Sequence, residues 1–344
     1  MMNNNILPVF ISFAGCTSRC IYCDQHRITG VPPEEIISSA KRQIAEHLSM
    51  GVKWTELAFF GGSFTCLPVN IRHDLYAVAQ ETGIRTLRFS TSPDCVNEEV
   101  LAEAVENNVE IVELGVQSLD DEVLKANRRP YTSGECMEAF KLVKKHVKKA
   151  GIQLMTGLYK ETDQAFTETV NRALLMNADY ARIYPCVVLS GTELAEKFAS
   201  GEHRPVSLAD SVARCAYAYI LLTAAGTDVI RVGLHDSLSV KESAVGGAYH
   251  PAMGELVKTV AMATFFKMGH KIKLDHKYLN VAYGYGGILK KMNRDNVTVK
   301  AGEKPDFRDI CRKITESLGE DSQRKLKEQT VSHAERLVSE TNNR

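Results

Sequence analysis

No stretch of this 344-residue chain is apolar for long enough to span a bilayer, and its longest apolar run is a few residues. The first residues, MMNNNILPVFISF, lack the cationic region and the small-residue cleavage site of a secretion signal. A membrane-embedded class is therefore excluded, and a reducing cytoplasm is the expected location. An excess of either charge is missing too. Lys plus Arg and Asp plus Glu stand at 42 each, which excludes a globally basic nucleic-acid binder and an acidic solvating protein. Internal repeats and low-complexity tracts are absent, so a solenoid is excluded. Hydrophobic residues make up 44% and charged residues 24%, ordinary values that support a sizeable core.

What the chain does have is a regular alternation of short β-forming runs and amphipathic stretches. The apolar run at 7–13 is followed by a helix from 34 to about 50, with Pro32-Pro33 before it and Gly51 after it. Strands at 56–60, 86–90, 109–116, 152–158 and 180–188 alternate with helices at 70–80, 97–107, 120–126, 133–149 and 162–176. About six strand–helix units by residue 200 predict a parallel α/β sheet, open or closed into a barrel. Ligands of such sheets sit on the loops after the strands. Beyond residue 205 the pattern changes to a long helix (208–225), an apolar run (228–234) and a glycine-rich stretch. Residues 257–300 then carry nine Lys/Arg against two Asp. A charged helical segment closes the chain. These features divide it into 1–205 and a C-terminal extension, 206–344.

Nine cysteines is an odd count, and Cys16, Cys20 and Cys23 form a C-x3-C-x2-C pattern directly after the first strand. In a reducing compartment such spacing favours metal or redox chemistry over disulfides. Three thiolates on one loop can ligate an iron–sulfur cluster and leave one iron open for chemistry. A zinc ribbon would need a second C-x2-C or paired histidines, and neither is present. With Tyr22 before the last cysteine, the motif resembles the cluster loop of the radical S-adenosylmethionine (SAM) enzymes. FFGGSFTCLP (59–68), FSTSPDC (89–95), VELGVQSLDDEVL (112–124), RIYPCVVLSGTEL (182–194) and AYHPAMGELV (248–257) are similar, in order, to segments of the Elongator-subunit-3-like group. The GVQS element also resembles the oxygen-independent coproporphyrinogen oxidases.

The resemblance implies a partial (β/α)6 TIM-type barrel with a small C-terminal α+β extension. It also implies a [4Fe–4S] cluster on Cys16, Cys20 and Cys23, SAM as cosubstrate, and a reductase or flavodoxin/ferredoxin as electron donor. It places SAM's amino group at Gly61, Gly62 and Ser63. Ser90 and Thr91 fall at a SAM-contact position. Gln117 with Arg129 would hold the ribose and carboxylate, Arg128 being a neighbouring candidate, and Gln153 is another ribose-binding group. Glu113, on the strand of Gln117, is left as either a core-rim or a site carboxylate. Blander readings stand beside these: tight turns for the glycines and for Ser90-Thr91, and barrel-mouth hydrogen bonding for the glutamines.

Departures from the group concern the substrate. Thr91-Ser92-Pro93-Asp94 lacks an arginine usual there, MTGLYK (155–160) lacks two prolines, and His235-Asp236 follows RVGL. The acetyltransferase-like domain of the tRNA-modifying members has no counterpart in the chain. A small-molecule substrate is therefore the expectation. Its variant transfers the 3-amino-3-carboxypropyl group of SAM to a thiophilic acceptor, with Cys66, Cys95 and Cys186 at strand ends binding that acceptor or a second cluster. Modification of a tRNA base is the further alternative, and a non-catalytic iron–sulfur protein the last.

Overall fold

Five-residue apolar runs such as ELAFF are long enough to cross a sheet but too short for a stable helix, and they become its central strands. The computed structural model describes residues 5–11, 14–23, 35–234, 238–290, 294–319 and 322–342. Among them the strands are β1 (Ile6–Phe10), β2 (Glu56–Phe60), β3 (Thr86–Thr91), β4 (Val109–Gln117), β5 (Lys149–Thr156), β6 (Tyr180–Pro185), β7 (Val187–Leu189), β8 (Asp228–Val232), β9 (Ala244–Gly247), β10 (Ile272–Leu274) and β11 (Val297–Val299). The helices are α1 (Ile36–Ser49), α2 (Val69–Gln80), α3 (Glu98–Glu106), α4 (Asp121–Ala126), α5 (Ser133–His146), α6 (Asp163–Met176), α7 (Glu193–Ala199), α8 (Leu208–Ala224), α9 (Leu238–Ser243), α10 (Met253–Lys267), α11 (Leu279–Tyr283), α12 (Phe307–Leu318) and α13 (Ser322–Asn342). The main sheet has the order β1-β2-β3-β4-β5-β6-β8. Its registers run parallel, for example Val9↔Phe59, Phe59↔Phe89 and Ser90↔Glu113. This is the α/β half-barrel that the alternation predicts. No helix among the described residues is long and apolar enough to cross a membrane.

Three details differ from the sequence reading. A seventh parallel strand, β8, joins the sheet from the stretch assigned to the extension. Its half-exposed residues lack the continuous apolar signature of the interior strands. Helix α5 stops at His146 and β5 starts at Lys149, because Lys149, Ala150 and Gly151 pair with Ile111, Val112 and Glu113. The lysine-then-glycine run imitates a helix end while lying inside a strand. The 180–188 run is broken: β6 ends at Pro185, which has no N–H to give, and Cys186 donates instead to the Thr156 carbonyl (2.7 Å). Residues 12–13, at the end of the first expected strand, and His235-Asp236 lie outside the described residues.

The chain divides into two compact units, residues 1–154 with 189–193, and residues 155–188 with 194–344. In the first, Leu57, Phe59, Leu87, Phe89, Val112 and Leu114 are almost wholly buried. Phe64 enters this core from the turn after β2, stacking on Phe89 at 4.7 Å and meeting Phe59 and Tyr76 at 5.1 Å. Burying that ring is worth about 2–3 kcal/mol, and it pins the loop carrying Gly61 to Cys66. In the second unit α13 buries Leu326, Thr330, Ala334 and Leu337 along one face, so the charged closing segment is an amphipathic helix.

Candidate active site

The loop after β1 and the loop after β2 meet backbone against backbone. The Ser63 N–H donates to the Ala14 carbonyl (3.0 Å), and Ala14 donates to Ile11 (2.9 Å). A Cβ on Gly62 would lie 2.5 Å from the Ala14 oxygen, and one on Gly15 only 2.3 Å from the Ser63 oxygen. Glycine at both positions is thus demanded by the contact itself, not by turn formation alone. The contact brings Cys16 Sγ to 3.7 Å from Ser63 Oγ. Cys16, Cys20 and Cys23 form no disulfide and are at least partly open to solvent, and the Cys23 N–H donates to the Cys20 carbonyl (3.1 Å).

Arg129 ties this loop to β4. Its Nη1 donates to Cys20 Sγ (2.9 Å), Nη2 to the Gly115 carbonyl (2.8 Å) and Nε to the Tyr131 hydroxyl (2.6 Å). Burial works against the guanidinium charge, but Tyr131, Tyr22 and Cys20 outweigh it and hold the pKa well above its ordinary value. Arg128 turns the other way, into a half-exposed ion pair with Glu193 (2.6 Å). The two adjacent arginines, indistinguishable in sequence, are separated by this geometry. Gln117 ends β4 with a left-handed backbone (φ +63). A Cβ on Gly115 would fall 2.9 Å from Gln117 Nε2, 3.5 Å from the Thr91 oxygen and 3.6 Å from Arg129 Nη2. Gly115, which the sequence reading passed over, is therefore the gap around which three expected site residues converge.

Beneath them a polar chain crosses four strands. Gln153 Nε2 donates to Ser90 Oγ (3.1 Å) and Glu113 Oε2 (3.3 Å). Glu113 lies 3.4 Å from Arg88, which pairs with Glu56 at 2.5 Å. All three charged residues are at least nine-tenths buried. Glu113, ambiguous in sequence, is thus a buried partner in an ion network. Arg88 and Glu56 were not foreseen, although a charge at the centre of an apolar strand such as TLRFST is the signal that marks them. Thr91 is engaged elsewhere: its hydroxyl lies 2.5 Å from Thr65 Oγ1 and accepts from the Thr65 N–H (3.2 Å).

Of the other strand-end cysteines, Cys66 and Cys95 meet and are joined as a disulfide, their Cα atoms 5.1 Å apart. Asp94 beside them accepts from Thr17 Oγ1 of the cysteine loop (2.7 Å), and Cys95 Sγ lies 3.7 Å from its carboxylate. Cys186 lies in the second unit, where burial pushes its thiol up to about 12. The first unit thus offers three thiols on one loop, a fixed cation, two glycine-lined backbone approaches and the hydrogen-bonding groups of Gln117, Ser90 and Gln153. That donor set suits a thiolate-bound cluster with an adjacent polar cosubstrate.

Comparison with known proteins agrees with this chemistry. The profile described as the radical SAM superfamily matches residues 10–173, and that of the radical SAM C-terminal domain matches residues 178–262. An uncharacterised protein of Methanocaldococcus jannaschii is 28% identical over 215 residues, 58% of this chain and 66% of that protein. The tRNA uridine(34) acetyltransferase of the same organism is 29% identical over 136 residues, 38% of this chain. The chain spans about two thirds of the first relative's length and 25% of the second's. Among solved structures, Elp3 of Methanocaldococcus infernus lacking its N-terminus superposes with a TM-score of 0.58 at 20% identity, covering 80% of this chain and 66% of that one. This last likeness shows the fold.

Proposed function

Because the chain belongs to the radical SAM superfamily, we propose that it binds a [4Fe–4S] cluster on Cys16, Cys20 and Cys23 and cleaves SAM reductively to modify a substrate. When bound, the cluster supplies the electron that breaks a sulfonium carbon–sulfur bond. The residues supply holding and orientation. Arg129 donates to Cys20 Sγ and to the Gly115 carbonyl, and so ties the cysteine loop to β4. Gly61, Gly62 and Ser63 present bare backbone at the end of β2 to the amino group of SAM. Gln117, Ser90 and Gln153 line the strand ends as hydrogen-bonding groups for its ribose and carboxylate, whereas the Thr91 hydroxyl is taken by Thr65. The Arg88–Glu56–Glu113 network fixes Gln153 from below. The observation that carries the proposal is the contact of a buried guanidinium with the central cysteine of a three-cysteine loop. Radical SAM enzymes need an electron donor, and a reductase or a flavodoxin/ferredoxin fills that role here.

A second reading for the transferred group has one observation in its favour. Cys66, Cys95 and Asp94 bring two sulfurs and a carboxylate within 4.8 Å of one another. Once an added thiol reduces the disulfide, which takes up two electrons and two protons, the resulting dithiol would hold a thiophilic acceptor for a 3-amino-3-carboxypropyl group. One experiment separates the readings: mass spectrometry of the nucleoside formed when the reduced holoprotein meets SAM. 5′-Deoxyadenosine supports the usual radical route, and methylthioadenosine supports aminocarboxypropyl transfer. Absence of both contradicts the proposal. Parallel incubations with bulk tRNA and with a small thiophilic acceptor show which one raises turnover, tRNA being the substrate type in the acetyltransferase relative's name.

A further inference from the structure

The disulfide between Cys66 and Cys95 takes no part in the cluster and SAM contacts described above, yet it is built against the cysteine loop. Cys66 is the last residue of a 3-10 turn after β2 (Phe64–Cys66), and Cys95 the last of a corresponding turn after β3 (Pro93–Cys95). Because β2 and β3 are neighbours in the sheet, the two turns start side by side. The Thr65 and Thr91 hydroxyls, 2.5 Å apart, hold them together from within. That contact does not involve the sulfurs, so opening the disulfide leaves Cys66 and Cys95 placed to close again.

Each half of the disulfide is also joined to the cysteine loop, one on either side of Cys16. On the Cys66 side, a Cβ on Gly15 would lie 3.1 Å from the Cys66 carbonyl carbon and 3.0 Å from the Leu67 nitrogen, so the two backbones are in direct contact. On the Cys95 side, Asp94 accepts from Thr17 Oγ1 (2.7 Å) and from the Ser92 hydroxyl. Residues 15–17 are gripped between two turns, and the disulfide is the covalent link between those turns. The link is also within reach of a reagent: Cys66 and Cys95 are half-buried and Asp94 is exposed, whereas Cys136 and Cys311 are wholly buried. Accessible disulfides are the labile ones, and in a reducing compartment such bonds are transient and serve catalysis or redox sensing.

We propose that Cys66 and Cys95 form a reversible thiol–disulfide exchange site that sets how tightly the cysteine loop is held, with a dithiol as its reaction partner. A thiolate of the partner attacks one sulfur of the pair and forms a mixed disulfide, releasing the other cysteine as a thiolate that takes a proton. The partner's second thiolate then displaces the remaining cysteine, which is protonated in turn. The Cys66–Cys95 bond breaks with uptake of two electrons and two protons, and the partner leaves as a disulfide. Residues 15–17 are clamped in the disulfide state and released in the dithiol state. A staple serving stability alone would explain the bond but neither its exposure nor its two contacts with the cysteine loop. This assignment rests on the reading of Cys16, Cys20 and Cys23 as the cluster loop; its test needs neither iron nor SAM, so either can fail without the other.

The full chain without iron is equilibrated anaerobically with stepped ratios of reduced to oxidised dithiothreitol, trapped with acid, alkylated and mapped by mass spectrometry. Cys66 and Cys95 should pass together from disulfide to alkylated thiol at one midpoint, with Cys136 and Cys311 thiols throughout. Amide hydrogen exchange over residues 14–23 should be about threefold or more faster in the dithiol state than in the disulfide state. In the double variant Cys66→Ser, Cys95→Ser it should match the dithiol state and ignore the reductant. Asp94→Ala should keep the disulfide but lose most of the difference in exchange. The wild-type series and Asp94→Ala decide the matter if the serine variant does not fold. Cys66 and Cys95 found in one state at every ratio, exchange over 14–23 that ignores the redox state of the wild type, a difference undiminished in Asp94→Ala, or a reductant effect that persists in the serine variant would overturn the proposal.

Discussion

Single atoms decide most at the cysteine loop. Gly62 has no turn conformation to explain it, since its backbone angles suit any residue; the Ala14 oxygen 2.5 Å from its missing Cβ is the explanation. Gly62→Ala must therefore push the loop of Cys16 away from Ser63. Iron content after anaerobic reconstitution is expected to fall severalfold while far-ultraviolet circular dichroism stays unchanged. Full iron loading in this variant would show that the contact is not what positions the cysteines. The three cysteines and the Gly61-Gly62-Ser63 turn were legible because thiol spacing and paired glycines are local patterns. The division of labour between Arg128 and Arg129 was not, because it depends on a left-handed Arg128 (φ +55) that turns successive side chains apart. Cys66 and Cys95, 29 residues apart, were expected to converge because both follow strand ends, but that they join as a disulfide is not written in any local pattern.

Elements were legible in proportion to how far local pattern governs them. Helix α5 begins where Thr132 and Glu135 form a reciprocal capping box, a signal present in sequence. Its end was misread because Gly151 serves as a strand residue opposite Glu113, a matter of sheet pairing. The turn after β5 carries a titration of its own. Glu161 Oε2 accepts from the Gly157 N–H (2.6 Å) and lies 3.2 Å from Arg214 Nη1. Burial nevertheless pushes its carboxyl up from 4.5 to about 7. A folded pKa above the unfolded one means that its stabilising contribution is complete below about pH 4.5 and is lost as pH rises through about 7. Thermal melting of the wild type should therefore decline across that window more steeply than melting of Glu161→Gln. Parallel pH profiles for the two proteins would refute the assignment.

At the scale of the whole molecule, periodicity alone carried the parallel α/β architecture, and β8 escaped it because an edge strand is only half buried. Every residue expected to hold the cluster or SAM lies in the first unit, from Cys16 to Gln153. The basic stretch 257–300 lies in the second. Neutral total charge concealed this difference, since the basic stretch is offset elsewhere in the chain. The account stands or falls on the three-cysteine loop. Its most direct test is to reconstitute wild type, Cys20→Ala and Cys311→Ala anaerobically, reduce them, add SAM, and measure cluster absorbance and nucleoside product together. Cys311 is buried on α12 and serves as the control. Wild type and Cys311→Ala should show the absorbance and cleave SAM, and Cys20→Ala should do neither. A Cys20→Ala protein that kept both would contradict the central claim.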